Sequence, residues 1–204
     1  MKNKRNIIFA MTAAVLLCAA MPVVAVAAER IVFGGGPAGG TFQIVANAIQ
    51  VYAPVKKLDG ITVKAQSSAG SVENLRKVNK GRSHFGVVYS GHVFQGRKGM
   101  LKNDPSKYEN VMAVAYLYGA PAQLITRKGS GINSVKDLVG KRVGVGNAAS
   151  GAFATCELFF THVGIWDKIE RNARGYHDAA QPFGNNQLDA FCLFTAFPSG
   201  AGIR

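Results

Sequence analysis

The sequence predicts an α/β protein of two lobes flanking a cleft, with the second lobe incomplete. Three observations carry this. A strand, a small-residue loop, a helix and a further strand follow one another from Ile31 to Tyr89. The same order returns from Arg142 to Thr195. Corresponding strands lie a little over 100 residues apart, Ile31 with Arg142 and Phe85 with Ala190. Units of this kind imply parallel sheets covered by helices, and two lobes facing each other enclose the usual home of a small ligand.

The elements follow in order. Ile31 to Phe33 is a short β run that enters a glycine-rich loop, Gly34 to Gly40. Thr41 then caps and opens an amphipathic helix to about Tyr52, ended by Pro54. Ile61 to Gln66 alternates as a strand should. Ser67 to Gly70 is a small-residue loop before a helix from Ser71 to about Lys80, which Gly81 closes. Phe85 to Tyr89 is an unbroken apolar run suited to a buried parallel strand. Val111 to Tyr118 and Gln123 to Arg127 are expected as the strands that carry the chain between lobes. Arg142 to Val145 is a strand, Gly146 to Gly151 a loop, Ala152 to His162 a helix and Leu188 to Thr195 a strand. Pro182 and Gly184 interrupt the stretch before Leu188, and a proline inside a helix costs about 3 kcal/mol, so irregularity is expected there.

The first 28 residues read as a secretory leader. Lys2, Lys4 and Arg5 precede an apolar stretch from Ile7 to Ala20, Pro22 breaks it, and Ala25-Val26-Ala27 supplies small residues for cleavage. The expected division is 1–28 as leader, 29–118 as first lobe and 119–204 as second lobe, placing the mature protein in the periplasm. Removing the leader lowers the formal charge from +13 to +10. The remaining cations stand in scattered pairs with no long run, so a basic surface attractive to anionic solutes is expected rather than nucleic-acid binding. Cys156 lies in a helical pattern and Cys192 in a strand-like run, compatible with either a bridge or two buried thiols. His84, His92, His162 and His177 form no ligand cluster, so no metal is expected.

Gly34, Gly36 and Gly39 satisfy a dinucleotide fingerprint after a strand, but Asp59 stands before the second strand where the motif wants an acid after it. No cofactor is expected. The loops at Thr41, at Gly70-Ser71 and at Ser150-Gly151 place three helix N-termini in repeated positions, where backbone N–H groups and dipoles would receive a carboxylate. No arginine is positioned to clamp it. Ser71, Ser90 and Ser150 lack a G-x-S-x-G context and a His–acid pair to activate them, which counts against an enzyme.

Gly34-Gly35-Gly36-Pro37-Ala38-Gly39-Gly40-Thr41-Phe42, Gly70-Ser71-Val72-Glu73-Asn74-Leu75, Ser130-Gly131 with Ser134 to Val143, and Leu188-Asp189-Ala190-Phe191 resemble the TAXI family. These are the extracytoplasmic receptors of tripartite ATP-independent periplasmic (TRAP) transporters. The resemblance implies a type II periplasmic-binding-protein-like fold and a small carboxylate-bearing solute, glutamate or a related acid. It also implies delivery to TRAP membrane permease subunits. It places ligand contacts at Gly39, Gly40, Thr41, Phe42, Ser71, Val72, Tyr89, Ser90, Ser150, Gly151, Phe194 and Pro198. Gly91 stands where the family commonly has Asp, and family members continue well past residue 204. A sensor or surface protein using the same fold without transport is the other reading.

Overall fold

The computed structural model describes residues 28–56, 60–102 and 104–197. All of the expected leader but Ala28, together with Asp59 and Pro198, lies outside them. Strands β1 (Glu29–Gly34), β2 (Ile61–Gln66) and β3 (Phe85–Gly86) form a parallel sheet in the order β2-β1-β3. Helices α1 (Thr41–Val55), α2 (Ser71–Asn79) and α3 (Ser90–Lys98) accompany it. The second sheet is ordered β4-β7-β5-β6, from β4 (Ala122–Thr126), β5 (Arg142–Gly144), β6 (Glu170–Asn172) and β7 (Ala190–Phe194). Its members run parallel except β4, which pairs antiparallel with β7. Helices α4 (Gly151–His162) and α5 (Tyr176–Gly184) belong to this lobe. The two-lobed α/β architecture expected from the sequence is present.

The core sits mainly in the second lobe, where the sequence of β7 explains the layering. Side chains of a strand alternate between faces. Ala190 and Cys192 join Val143, Cys156, Phe160 and Trp166 in one cluster, while Phe191 and Leu193 join Tyr176, Ala179 and Leu188 in another. Being apolar on both faces, the strand lies between helices, and Asp189 just before it takes two guanidinium hydrogen bonds from Arg142, at 2.8 and 3.0 Å. The first lobe has a smaller cluster of Val72, Leu75, Leu101, Tyr108 and Val111.

Several expectations are corrected. Phe85 to Tyr89 forms a ladder only over Phe85–Gly86, with one further bond from the Val87 N–H to the Gly34 carbonyl before α3 begins at Ser90. Val111 to Tyr118 forms neither helix nor strand ladder among the described residues. Met112, Val114 and Tyr116 there are 86%, 77% and 84% exposed. An apolar run becomes a strand only when a neighbour supplies hydrogen bonds. Pro54 and Pro182 fall inside α1 and α5 rather than ending or disrupting them. Each interrupts the ladder in the last turn, where no further turn has to be aligned. Thr41 is not a cap: Gly40 holds that position and Thr41 is the first helical residue.

Asn74 welds the first sheet to its loops. The residue is fully buried in α2, and its amide nitrogen donates to the carbonyls of Gly35 at 2.6 Å, Val87 at 2.9 Å and Gly34 at 3.3 Å. The ends of β1 and β3 therefore hang from one side chain, and the glycine loop is held where it leaves the sheet.

Candidate functional site

The loops after β1 and β5 leave the carboxyl ends of parallel strands, the edge of an open α/β sheet where ligands bind. Four helices start there. The N-caps of α1, α2, α4 and α5 are Gly40, Gly70, Ser150 and Gly175, and all four line one cleft between the lobes. Only Ser150 caps with its side chain, accepting from the Phe153 N–H at 2.9 Å. At the glycine caps the first turns keep backbone N–H groups without a side-chain acceptor from the cap residue. Gly70 adopts φ 118°, open to glycine and strained for other residues, and this conformation aims the start of α2 at the cleft. Each helix start carries about half a positive charge. Among the described residues, none lining the cleft is charged.

The lobes meet closely. Thr41 Oγ1 lies 2.8 Å from Thr195 Oγ1, and the Tyr89 hydroxyl donates to the Phe194 carbonyl at 2.6 Å. The Tyr176 hydroxyl accepts from the Phe194 N–H at 3.0 Å, fixing the end of β7 against the start of α5. Phe42, Tyr89 and Phe194 form the aromatic wall, with ring centroids 5.0 Å apart for the first pair and 6.4 Å for the second. At Gly151 a Cβ would stand 2.5 Å from Ser71 Cβ and 2.9 Å from both rings of Tyr89 and His92, so α4 approaches the first lobe only through glycine. The enclosed space is about 20 Å³, room for one water. Admission of an organic acid therefore needs the lobes to part.

Burial shapes the ionisable groups. His92 is 6% exposed, and loss of hydration pushes its pKa down to about 4, leaving a neutral imidazole at pH 7. Its Nδ1 stands 3.0 Å from Ser71 Oγ, which also accepts from the Tyr89 N–H at 2.9 Å. With Nδ1 as acceptor, the Ser71 proton is committed to it. Burial likewise raises the hydroxyls of Tyr89, Tyr118 and Tyr176, the last to about 12.

Residues 33–203 match the sequence model of the NMT1-like family. The chain belongs to the NMT1-like family. Its fold is that of solute-binding proteins. A Bordetella bronchiseptica RB50 protein superposes with a TM-score of 0.57 at 18% identity, over 83% of this chain and 51% of the other. The alkanesulfonate-binding protein SsuA from Xanthomonas axonopodis pv. citri, solved bound to MOPS, gives 0.52 at 15% identity over 81% and 54%. A putative L-cystine ABC transporter protein from Listeria monocytogenes gives 0.52 at 17% identity over 81% and 69%. The NMT1-like chain spans about half of the length of the sulfonate-binding proteins that it matches, 53% and 54%.

Of the residues expected at the site in this NMT1-like chain, Gly40, Thr41, Phe42, Ser71, Tyr89, Ser150, Gly151 and Phe194 line the cleft together. Gly39 supplies a positive φ to the loop behind Gly40 and stands outside the lining. Val72 packs against the first-lobe core and borders a second, larger cavity that Phe42, Tyr89, Ser150 and Phe194 also line. Ser90 is exposed at the start of α3 and lines that second cavity beside Tyr89. The Ser71 hydroxyl, expected to meet the ligand, is 1% exposed and occupied by Tyr89 and His92. Sequence reasoning missed Asn147, Tyr176 and Thr195, which also line the cleft, and the Ser71–His92 pair. Gly175 before a helical pattern was the one local signal available for Tyr176.

Proposed function

We propose that the chain is a periplasmic solute-binding receptor that captures a small carboxylate-bearing ligand and passes it to a membrane permease of the TRAP type. One observation carries the reading: four helix N-termini from two lobes converge on one cleft. There a carboxylate would gain charge-assisted backbone donors without any lysine or arginine. Delivery to a TRAP permease rests on the TAXI resemblance. The division at residues 29–118 and 119–204, the leader over 1–28, and the contact roles of Gly40, Thr41, Phe42, Tyr89, Ser150, Gly151 and Phe194 belong to the same proposal. Gly70, Gly175 and Tyr176 join them as further backbone and aromatic contacts.

In this reading the Ser71–His92 pair is a packing contact between α2 and α3 rather than catalytic machinery. No carboxylate is hydrogen-bonded to His92 among the described residues, and Ser71 is sealed from solvent. Thermal unfolding of the purified full chain with L-glutamate, 2-oxoglutarate and MOPS tests the proposal. A ligand at a hundred times its Kd adds about 2.7 kcal/mol to stability, so a carboxylate is expected to raise Tm by several degrees. A cooperative melt that no carboxylate shifts would sink the carboxylate reading, and a shift by MOPS alone would move it to sulfonates. Turnover of p-nitrophenyl acetate would overturn the receptor reading.

A further inference from the structure

Cys156 and Cys192 take no part in the cleft, yet they share one buried cluster in the core of the second lobe. Cys156 is fully buried midway along α4, and Cys192 is 5% exposed at the centre of β7. The alternation of β7 sends Ala190 and Cys192 to the α4 side, in the cluster that holds Cys156 and Phe160. Helix and strand pack in direct contact. Both cysteines are thiols in the structure. Burial first, and then the neighbouring Cys192 thiol, push the Cys156 thiol up, so Cys156 stays a neutral thiol in the fold.

We propose that Cys156 and Cys192 form a disulfide in the exported protein, stapling α4 to β7. The two elements carry cleft residues at their ends, Gly151 on the helix and Phe194 on the strand. A bond between their middles therefore fixes one wall of the cleft as a rigid piece. The reaction needs an oxidised dithiol, as a protein or small-molecule disulfide. One cysteine thiolate displaces a thiol from it to give a mixed disulfide, and the second displaces the other thiol. Two protein thiols are oxidised and one external disulfide is reduced to two thiols. Because the folded pair is sealed, the exchange belongs to folding, before α4 closes over the sheet. The location of the event rests on the export reading; the ability of the two thiols to join does not.

The test uses the full chain with its leader, expressed into a bacterial periplasm and purified without reductant. Iodoacetamide in guanidinium is expected to leave Cys156 and Cys192 unmodified until dithiothreitol is added. Digestion is expected to yield one peptide pair joined through them. Alkylation of both before reduction overturns the proposal for the exported protein. A second arm refolds reduced chain in oxidised and reduced glutathione. The expected product is the internal bond, with Tm roughly 5–15 °C above the Cys156→Ala/Cys192→Ala double variant and the gain lost on reduction. Two separate glutathione adducts, or equal Tm values, overturn the pairing itself. Cell fractionation reports on export independently, so a cytoplasmic location and an unpaired core are distinguishable failures.

Discussion

Gly151 shows how one missing side chain decides whether the lobes meet. A methyl group there would lie 2.5 Å from Ser71 Cβ, a distance that side chains do not sustain. Gly151→Ala is therefore expected to keep the fold and hold the cleft open. Small-angle scattering should give a larger radius of gyration than for the parent, and an unchanged radius would refute the steric account. Beside it, His92 links closure to pH. Its pKa is near 4 when buried and about 6.5 when the imidazole is solvated. A depressed pKa in the closed form means that its contribution is complete above about 6.5 and is lost as pH falls toward 4. Titrated over that window, the parent chain should open on acidification, whereas His92→Gln should give a flatter profile. Parallel profiles would exclude His92.

At the scale of elements, Asn74 matters more than its size implies. Asn74→Ala would remove its amide from three backbone carbonyls, of which Gly34 keeps the Val87 N–H and Gly35 keeps the Ser68 hydroxyl, while that of Val87 loses its donor. Unfolding in urea is expected to show a loss of about 1–3 kcal/mol, since one buried acceptor left unpaired costs more than an average hydrogen bond. A loss below about 1 kcal/mol would mean that water replaces the amide. Asp189 plays the matching part before β7. Hydrogen bonds from Arg142 hold its pKa down to about 2. Its contribution is present above about pH 4 and disappears as pH falls toward 2. Asp189→Asn should remove that acid-side slope from the urea midpoints. Helix starts were the most legible elements, because Gly40, Gly70 and Ser150 announce themselves within a few residues. Val111 to Tyr118 was misread because its apolar composition is that of a strand, while pairing depends on what lies alongside.

The whole molecule closes through uncharged contacts. Lys102 reaches across to Glu157 at 2.6 Å, but the lysine is 66% exposed and such a pair is worth at most about 1 kcal/mol. Thr41 with Thr195 and Tyr89 with Phe194 bind the lobes from the sealed side. Closure is therefore expected to survive 0.5 M NaCl and Glu157→Gln with little change in radius of gyration, while Tyr89→Phe opens it measurably. Loss of closure in salt alone would reverse that order of importance.

Periodicity, the doubled strand–loop–helix order and the small residues before each helix were sufficient to establish two α/β lobes and most of the cleft's helix starts. These are local properties, written within a turn or a strand. The start of α5, the partnership of Thr41 with Thr195 over 154 positions and the commitment of Ser71 to His92 were settled only when the lobes came face to face. A hydroxyl has no fixed role until its neighbours are known. Thr41 looked like a helix cap, and the fold spent its oxygen on joining the lobes.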